Sequence, residues 1–263
     1  MNSQLRELPV VYKGKSYSLS IRYRKTSKNL IVFLHGWGGT KESFADAFSS
    51  AALTGYSICA MDFLGFGKSE KPRDFSYDLL DQAKIVAEAV NSFKAEKVYL
   101  VGHSMGGGIG LLAVPFIKNL AMFIGADNNL APNGSGYDAR LASKQPLWVF
   151  QYFAPSVLAL TSRLHPNRDV RTWSKWSREA SQLGLYRSIR SLADWSDSGE
   201  LLPRFEALPR KAYIYSENGK RKKDVVPKLD ETITYEIPCS GHALMLDNPS
   251  DFYGTIARII REA

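Results

Sequence analysis

The run Val98-Tyr99-Leu100-Val101-Gly102-His103-Ser104-Met105-Gly106-Gly107 centres a serine in a G-x-S-x-G pattern behind a continuous apolar segment. That spacing predicts a strand turning sharply into a helix, with Ser104 on the turn as a nucleophile elbow. A serine hydroxyl is a weak nucleophile until it stands clear of its strand, and flanking glycines remove side chains that would crowd so tight a corner. The same turn aims the first amides of the helix at developing negative charge, which makes the Met105 N–H a candidate oxyanion donor. A second donor is offered by Leu30-Ile31-Val32-Phe33-Leu34-His35-Gly36-Trp37-Gly38-Gly39, an apolar strand ending in H-G-x-G-G, where the Trp37 N–H is the candidate.

A rival pattern overlaps the first, since Gly108-Ile109-Gly110-Leu111-Leu112-Ala113 is a G-x-G-x-x-A string with Asp127 further along. Its register argues against a dinucleotide fold, because the glycine-rich turn should follow the strand directly and Gly108 lies inside the helix instead. Small residues there more simply let the helix approach a sheet.

Elements able to position these residues are visible as periods and punctuation. Leu8 to Tyr12 and Ser16 to Tyr23 flank Lys13-Gly14-Lys15 and predict a hairpin. Short apolar runs then alternate with helix-length segments: Leu30 to Leu34, Ser57 to Met61, Val98 to Val101, Leu120 to Ala126, Lys211 to Tyr215 and Thr232 to Ile237. Continuous apolar strands between helices predict an α/β fold, a mostly parallel sheet with an N-terminal antiparallel hairpin and helices on both faces. Ser76-Tyr77-Asp78 opens one such helix, with Leu79, Ala83, Val86, Ala87 and Val90 at helical spacing. The alternation lapses between Ala131 and Phe205, where Trp148, Trp173, Trp176 and Trp195 fall. This predicts a helical cap over 131–205, inserted in a core built from 1–130 and 206–263.

Composition narrows the class. A chain of 263 residues, 44% hydrophobic and 23% charged, is long enough to bury a core without disulfide staples and excludes disordered or fibrous classes. Cys59 and Cys239 are far apart with no metal or redox spacing, and are expected to be two buried thiols. The start has no apolar h-region and no stretch predicts a transmembrane span, so a cytoplasmic location is expected. The net charge of +8 is spread along the chain without a nucleic-acid motif, so no nucleic-acid partner is expected.

Near the other end, Cys239-Ser240-Gly241-His242 follows the last apolar strand. With it, the H-G loop, Asp62-Phe63-Leu64-Gly65-Phe66-Gly67-Lys68-Ser69, the serine elbow and the inserted segment, the chain resembles the serine-nucleophile members of the α/β-hydrolase superfamily. The resemblance covers nearly the whole chain and is unspecific for activity. It implies Ser104 as nucleophile and His242 as general base, with no metal or organic cofactor. Serine at position 104 sets the chain apart from members with aspartate there, such as epoxide hydrolases. The acid departs from the family pattern, because its usual site falls in Ser216-Glu217-Asn218-Gly219 and holds glycine. Asp127, Asp224 and Glu217 are candidates in that order, and sequence order alone does not choose among them. His35 and His103 are expected to orient backbone, and His165 to be exposed.

The reading that follows is a serine hydrolase cleaving carboxylic esters through an acyl-enzyme, on small-molecule esters with an apolar acyl or aryl part. Thioesterase, C–C bond hydrolase and cofactor-free perhydrolysis chemistry reuse the same machinery. A ligand receptor with vestigial hydrolysis is the alternative of another class. Lys220-Arg221-Lys222-Lys223, the densest charge run, reads as a solvated loop tip or, alternatively, as a pocket rim attracting an anionic substrate. Substrate identity and oligomeric state are not encoded in any of these motifs.

Overall fold

The structure, a computed structural model, describes residues 3–131 and 144–262. An eight-stranded sheet runs through it in the order β1-β2-β4-β3-β5-β6-β7-β8. Strands β1 (Gln4–Tyr12) and β2 (Lys15–Arg24) form the antiparallel hairpin. Its turn has two residues rather than three: Lys13 and Gly14 both take positive φ, 49° and 75°, so that Lys15 pairs directly with Tyr12. β2 pairs antiparallel with β4 (Ser57–Met61). From β4 onward every pairing is parallel, through β3 (Asn29–Leu34), β5 (Lys97–His103), β6 (Leu120–Ala126), β7 (Lys211–Ser216) and β8 (Thr234–Ile237).

Two strand boundaries differ from those read off apolar runs. β5 continues past Val101 because Gly102 and His103 pair with Gly125 and Ala126, which carries the strand to the residue before Ser104. β8 starts later than Thr232, since a 3-10 turn over Glu231–Ile233 takes its first residues.

Burial on both faces explains the continuous apolar strands. Along β3, Leu30, Val32 and Leu34 face one core, which they share with α1 (Leu79–Ser92) and α2 (Met105–Ala113). Ile31 and Phe33 face the other, which they share with Phe252, Ile256 and Ile260 of the C-terminal helix Pro249–Glu262. Helix α1 begins where Asp78 Oδ1 accepts the Leu80 N–H (2.8 Å), and buries Leu79, Ala83, Val86, Ala87 and Val90. Removing one of the larger of these side chains from water stabilises by about 1.5–3 kcal/mol. Helix α2 is buried along its whole length, and a Cβ at Gly110 would lie 3.0 Å from Phe123. Its glycines therefore serve close helix–sheet packing, as the register of the G-x-G string suggested.

A buried ion pair ties two loops together at the carboxyl ends of the strands. Lys41 Nζ donates to Asp62 Oδ2 (2.7 Å), the Lys41 N–H to Oδ1 (2.6 Å), and the Lys68 N–H to Oδ2 (2.8 Å). Three donors thus meet both carboxylate oxygens in a buried setting, which is the condition under which a buried pair holds geometry rather than costing stability.

Between β6 and β7 the described residues form α3 (Leu147–Leu164), α4 (Arg168–Ser177), α5 (Gln182–Asp197) and α6 (Leu201–Glu206). Helix α5 puts Leu185, Ile189 and Leu192 into the core beside α1, and Ser191 Oγ accepts the Leu79 N–H while donating to Asp78. Trp173 and Trp176 line a cavity, Trp195 packs on the core, and Trp148 points outward, 69% exposed. Of the two cysteines only Cys59 is buried, where burial pushes its thiol up to about 12. Cys239 is exposed, contrary to expectation: it sits in the turn after β8 at φ 53°, which takes its side chain off the strand pattern. No helix among the described residues is long and apolar enough to cross a membrane.

Candidate active site

Ser104 stands between β5 and α2 with φ 52° and ψ −120°, a conformation that costs a residue with a side chain roughly 1–3 kcal/mol. It is held there from three sides. The Ser104 N–H donates to the Ala126 carbonyl (2.9 Å), and the Gly107 N–H donates to the Ser104 carbonyl (3.0 Å). A Cβ at Gly102 would strike the backbone of Gly106, and one at Gly106 would strike the Leu34 and His35 carbonyls. Both glycines of the motif are thus required by close approach. Met105 opens α2, and a first helical N–H has no acceptor within its own helix. The Gly36-Trp37 loop lies against the same corner, since a Cβ at Gly36 would sit 3.2 Å from Ser104 Cβ. Trp37 is fixed by two indoles: its own Nε1–H donates to the Leu185 carbonyl (2.8 Å), and its carbonyl accepts from Trp173 Nε1–H (2.6 Å).

His242 reaches Ser104 from the loop after β8. The Ser104 hydroxyl donates to His242 Nε2 (3.1 Å), and His242 Nδ1–H donates to Asp127 Oδ2 (3.0 Å). A carboxylate only accepts, which places the ring proton on Nδ1 and leaves Nε2 free to receive one. His103 Nε2–H donates to the His242 carbonyl (2.7 Å), and the Gly241 N–H donates to Asp247 (2.7 Å), so the loop is tethered on both sides of the ring.

Asp127 ends β6 in a left-handed conformation (φ 45°), with its N–H on the Ile214 carbonyl. Its carboxylate is buried and also accepts from Ser216 N–H (3.1 Å) and Ser216 Oγ–H (2.8 Å). Gly219, the residue at the family's usual acid position, packs against this group: a Cβ there would lie 3.0 Å from Asp127 Oδ2 and collide with Ser216 Oγ. Absence of a side chain at 219 leaves room for the Ser216 hydroxyl that bonds Asp127. The other two carboxylates are elsewhere. Asp224 is exposed at the end of the short helix Arg221–Asp224, and Glu217 is exposed with Oε2 accepting the Cys239 N–H (2.7 Å).

Electrostatics follow from burial and partners. Burial alone would raise the Asp127 carboxyl, but the hydrogen bond and charge of His242, with the Ser216 donors, outweigh it and hold Asp127 below the ordinary carboxylate value. His35 is fully buried, its Nδ1–H on the Gly36 carbonyl and its Nε2 accepting from Phe63 N–H, and burial depresses it to about 4. His103 is depressed to about 3, by burial and then by the neighbouring His242. His165 is partly exposed and caps the Asn167 N–H, away from these groups.

Two buried neutral histidines make the fold acid-sensitive. Unfolded histidines titrate near 6.5, so below that pH the unfolded chain binds protons that the folded state refuses. Stability from this source is complete above about pH 6.5 and declines toward the folded values, at roughly 1.4 kcal/mol per pH unit for each histidine. The urea midpoint is expected to drop steadily between pH 6.5 and 4.5 and to drop less in His103→Gln. A midpoint flat over that range would refute the neutral, buried assignment.

A cavity of about 620 Å³ opens over Ser104 and His242. Val149, Phe153 and Val157 of α3 form one wall, Trp173 and Trp176 of α4 another, and Asn129, Lys220 and Arg221 a polar corner.

Comparison with known proteins settles the family. A family model described as the alpha/beta hydrolase fold matches residues 29–198. The chain belongs to the α/β-hydrolase family. Among curated relatives, the probable lysophospholipase BODYGUARD 2 of Arabidopsis thaliana is 31% identical over 147 residues, 51% of this chain and 31% of that one. The match thus spans about a third of the relative's length. Two solved structures superpose over almost the whole fold. The bromoperoxidase of Bacillus anthracis has a TM-score of 0.75 at 16% identity, covering 97% of this chain and 100% of that one. The esterase EaEST of Exiguobacterium antarcticum has a TM-score of 0.70 at 22% identity, covering 93% and 96%.

Within this hydrolase fold, the geometry unites Ser104, His242 and Asp127 and brings the Trp37 and Met105 backbone beside them, while Asp224 and Glu217 stay outside. Two further contributors hold Asp127, a role that no motif assigns them. Ser216 supplies two of the Asp127 hydrogen bonds, and Arg221 donates through Nε to the Asp127 carbonyl (3.3 Å). The only trace of Ser216 in the sequence is its place at the head of an acid loop lacking its acid.

Proposed function

We propose that the protein is a serine hydrolase that cleaves carboxylic esters through an acyl-enzyme, with Ser104, His242 and Asp127 as its catalytic triad. The observation that carries this is the continuous hydrogen-bonded chain from Ser104 Oγ through both ring nitrogens of His242 to the buried Asp127 carboxylate. In the acylation step Ser104 Oγ bonds to the ester carbonyl carbon while its proton passes to His242 Nε2. Asp127 stabilises the imidazolium and keeps the proton on Nδ1. The tetrahedral oxyanion is held by the Met105 and Trp37 N–H groups, each worth roughly 3 kcal/mol of barrier. Collapse of the intermediate breaks the bond to the alkoxide, which takes the proton from Nε2. Water then repeats the sequence on the acyl-enzyme and releases the acid.

The described part of the expected cap over 131–205, residues 131 and 144–205, covers the core, with 132–143 outside the described residues, and the aromatic walls from α3 and α4 suit an apolar acyl or aryl arm. A thioesterase or a C–C bond hydrolase built on the same machinery is the alternative within this class. A ligand receptor with vestigial hydrolysis is the alternative of another class, and the hydrogen-bonded line from Ser104 through His242 to Asp127 supports the enzyme instead.

The test is rapid mixing with p-nitrophenyl hexanoate. A burst of about one nitrophenolate per chain is expected, and acid quenching should leave a hexanoyl adduct on the Ser104 peptide by mass spectrometry. Neither turnover nor adduct on any ester would overturn the assignment.

A further inference from the structure

The run Lys220-Arg221-Lys222-Lys223 does not behave as one solvated tip. Lys222 turns outward and pairs with Glu236 (2.8 Å), while Lys220 and Arg221 line the cavity over Ser104. Arg221 is buried, 8% exposed, where a charge run would be expected to sit in water. Its Nε–H donates to the Asp127 carbonyl and its Nη2 to Asn129 Oδ1, leaving Nη1 with no acceptor among the described residues. No described carboxylate lies within ion-pair distance of Arg221 or Lys220. The described cavity lining contains no aspartate or glutamate, and its remaining members are apolar, aromatic, hydroxyl, amide, histidine or glycine.

Arg221 is thus largely buried, with Nη1 unbonded at the cavity and no described carboxylate within ion-pair distance, and its planar fork suits an oxyanion of a carboxylate or phosphate. An arginine that only clamped the Asp127–Asn129 turn would need no exposed Nη1 and no second cation beside it in the cavity.

We infer that the polar corner formed by Lys220, Arg221 and Asn129 is an anion subsite, so that the substrate joins an apolar arm to a carboxylate or phosphate group. This rests on the hydrolase reading above for the position of the scissile bond, but the subsite itself binds without turnover. The apolar arm lies along the α3 and α4 walls, and the anion meets Nη1 of Arg221 and the Lys220 ammonium at the opposite corner.

The experiment separates the two readings by using binding as well as kinetics. With Ser104→Ala protein, calorimetry is run against hexyl phosphate, hexanoate and hexan-1-ol. At least one anion is expected to bind about tenfold tighter than the alcohol, with the preference eroding as salt rises. The tighter of the two names the anionic group. Adding Lys220→Met or Arg221→Met should erase the preference, and Arg221→Lys should restore part of it. In the active protein, the ratio of kcat/KM for a carboxylate-bearing p-nitrophenyl ester over its neutral methyl ester should fall about tenfold in Lys220→Met, through KM. Equal affinity for alcohol and anions, or a preference untouched by both methionine variants, overturns the subsite. Failure of every ester with the binding preference intact would count against the hydrolase reading alone.

Discussion

Asp127→Asn lowers kcat by about four orders of magnitude on any ester, while Asp224→Asn and Glu217→Gln leave it within about twofold. The physical cause is the tautomer. An aspartate at 127 only accepts, so it holds the His242 proton on Nδ1 and leaves Nε2 to take the Ser104 proton. An asparagine amide that keeps its oxygen on the Ser216 N–H presents its NH2 to the Ser216 hydroxyl, which can turn to accept, and to the ring, which drives the ring proton to Nε2. The base then faces the nucleophile with a proton already in place. The two comparison variants matter because both alter exposed carboxylates in the same loop region without touching His242. Steady-state kinetics with melting curves on all three decide it. A large loss in Asp224→Asn with Asp127→Asn active would move the acid to the displaced loop aspartate.

Ser104→Ala is expected to abolish the burst and to lower kcat by a factor on the order of 10⁶, since removing the nucleophile of a cooperative set costs nearly what removing the whole set does. Ser104→Gly should lose as much activity yet melt higher than Ser104→Ala. At φ 52° and ψ −120° a Cβ is strained by roughly 1–3 kcal/mol, whereas glycine reaches that conformation at an entropic cost of about 0.5–1 kcal/mol. The net gain of about 1 kcal/mol corresponds to a rise of about 2 °C for a chain of this size. Activity and stability are thereby opposed at one residue, because the turn that lifts the hydroxyl clear of β5 is the turn that a side chain resists. A glycine variant melting below the alanine variant would show the strain to be absent.

The physics of short range decides which parts of the fold are legible in the sequence. Strand periods, the helix start at Asp78 and the serine elbow are set by residues within a few positions of one another, so type and spacing suffice. The hairpin turn is one residue shorter than its sequence suggests because Lys13 adopts a positive φ that its side chain does not advertise. Cys239 is exposed rather than buried because it takes a positive φ itself in the turn that ends the apolar alternation of β8.

What the sequence by itself determined is the parallel α/β architecture, the place of Ser104 on a strand-to-helix corner, and His242 as the histidine after the last strand. Only the tertiary structure decided which carboxylate meets that histidine, because Asp127 and His242 are 115 residues apart and join across the ends of β6, β7 and the loop after β8. It also decided that one arginine of a basic run is buried in the cavity while its neighbour pairs outside. Both outcomes depend on where a Cβ is missing at Gly219 and on which way a four-residue helix turns, quantities that arise from packing and have no local period to reveal them.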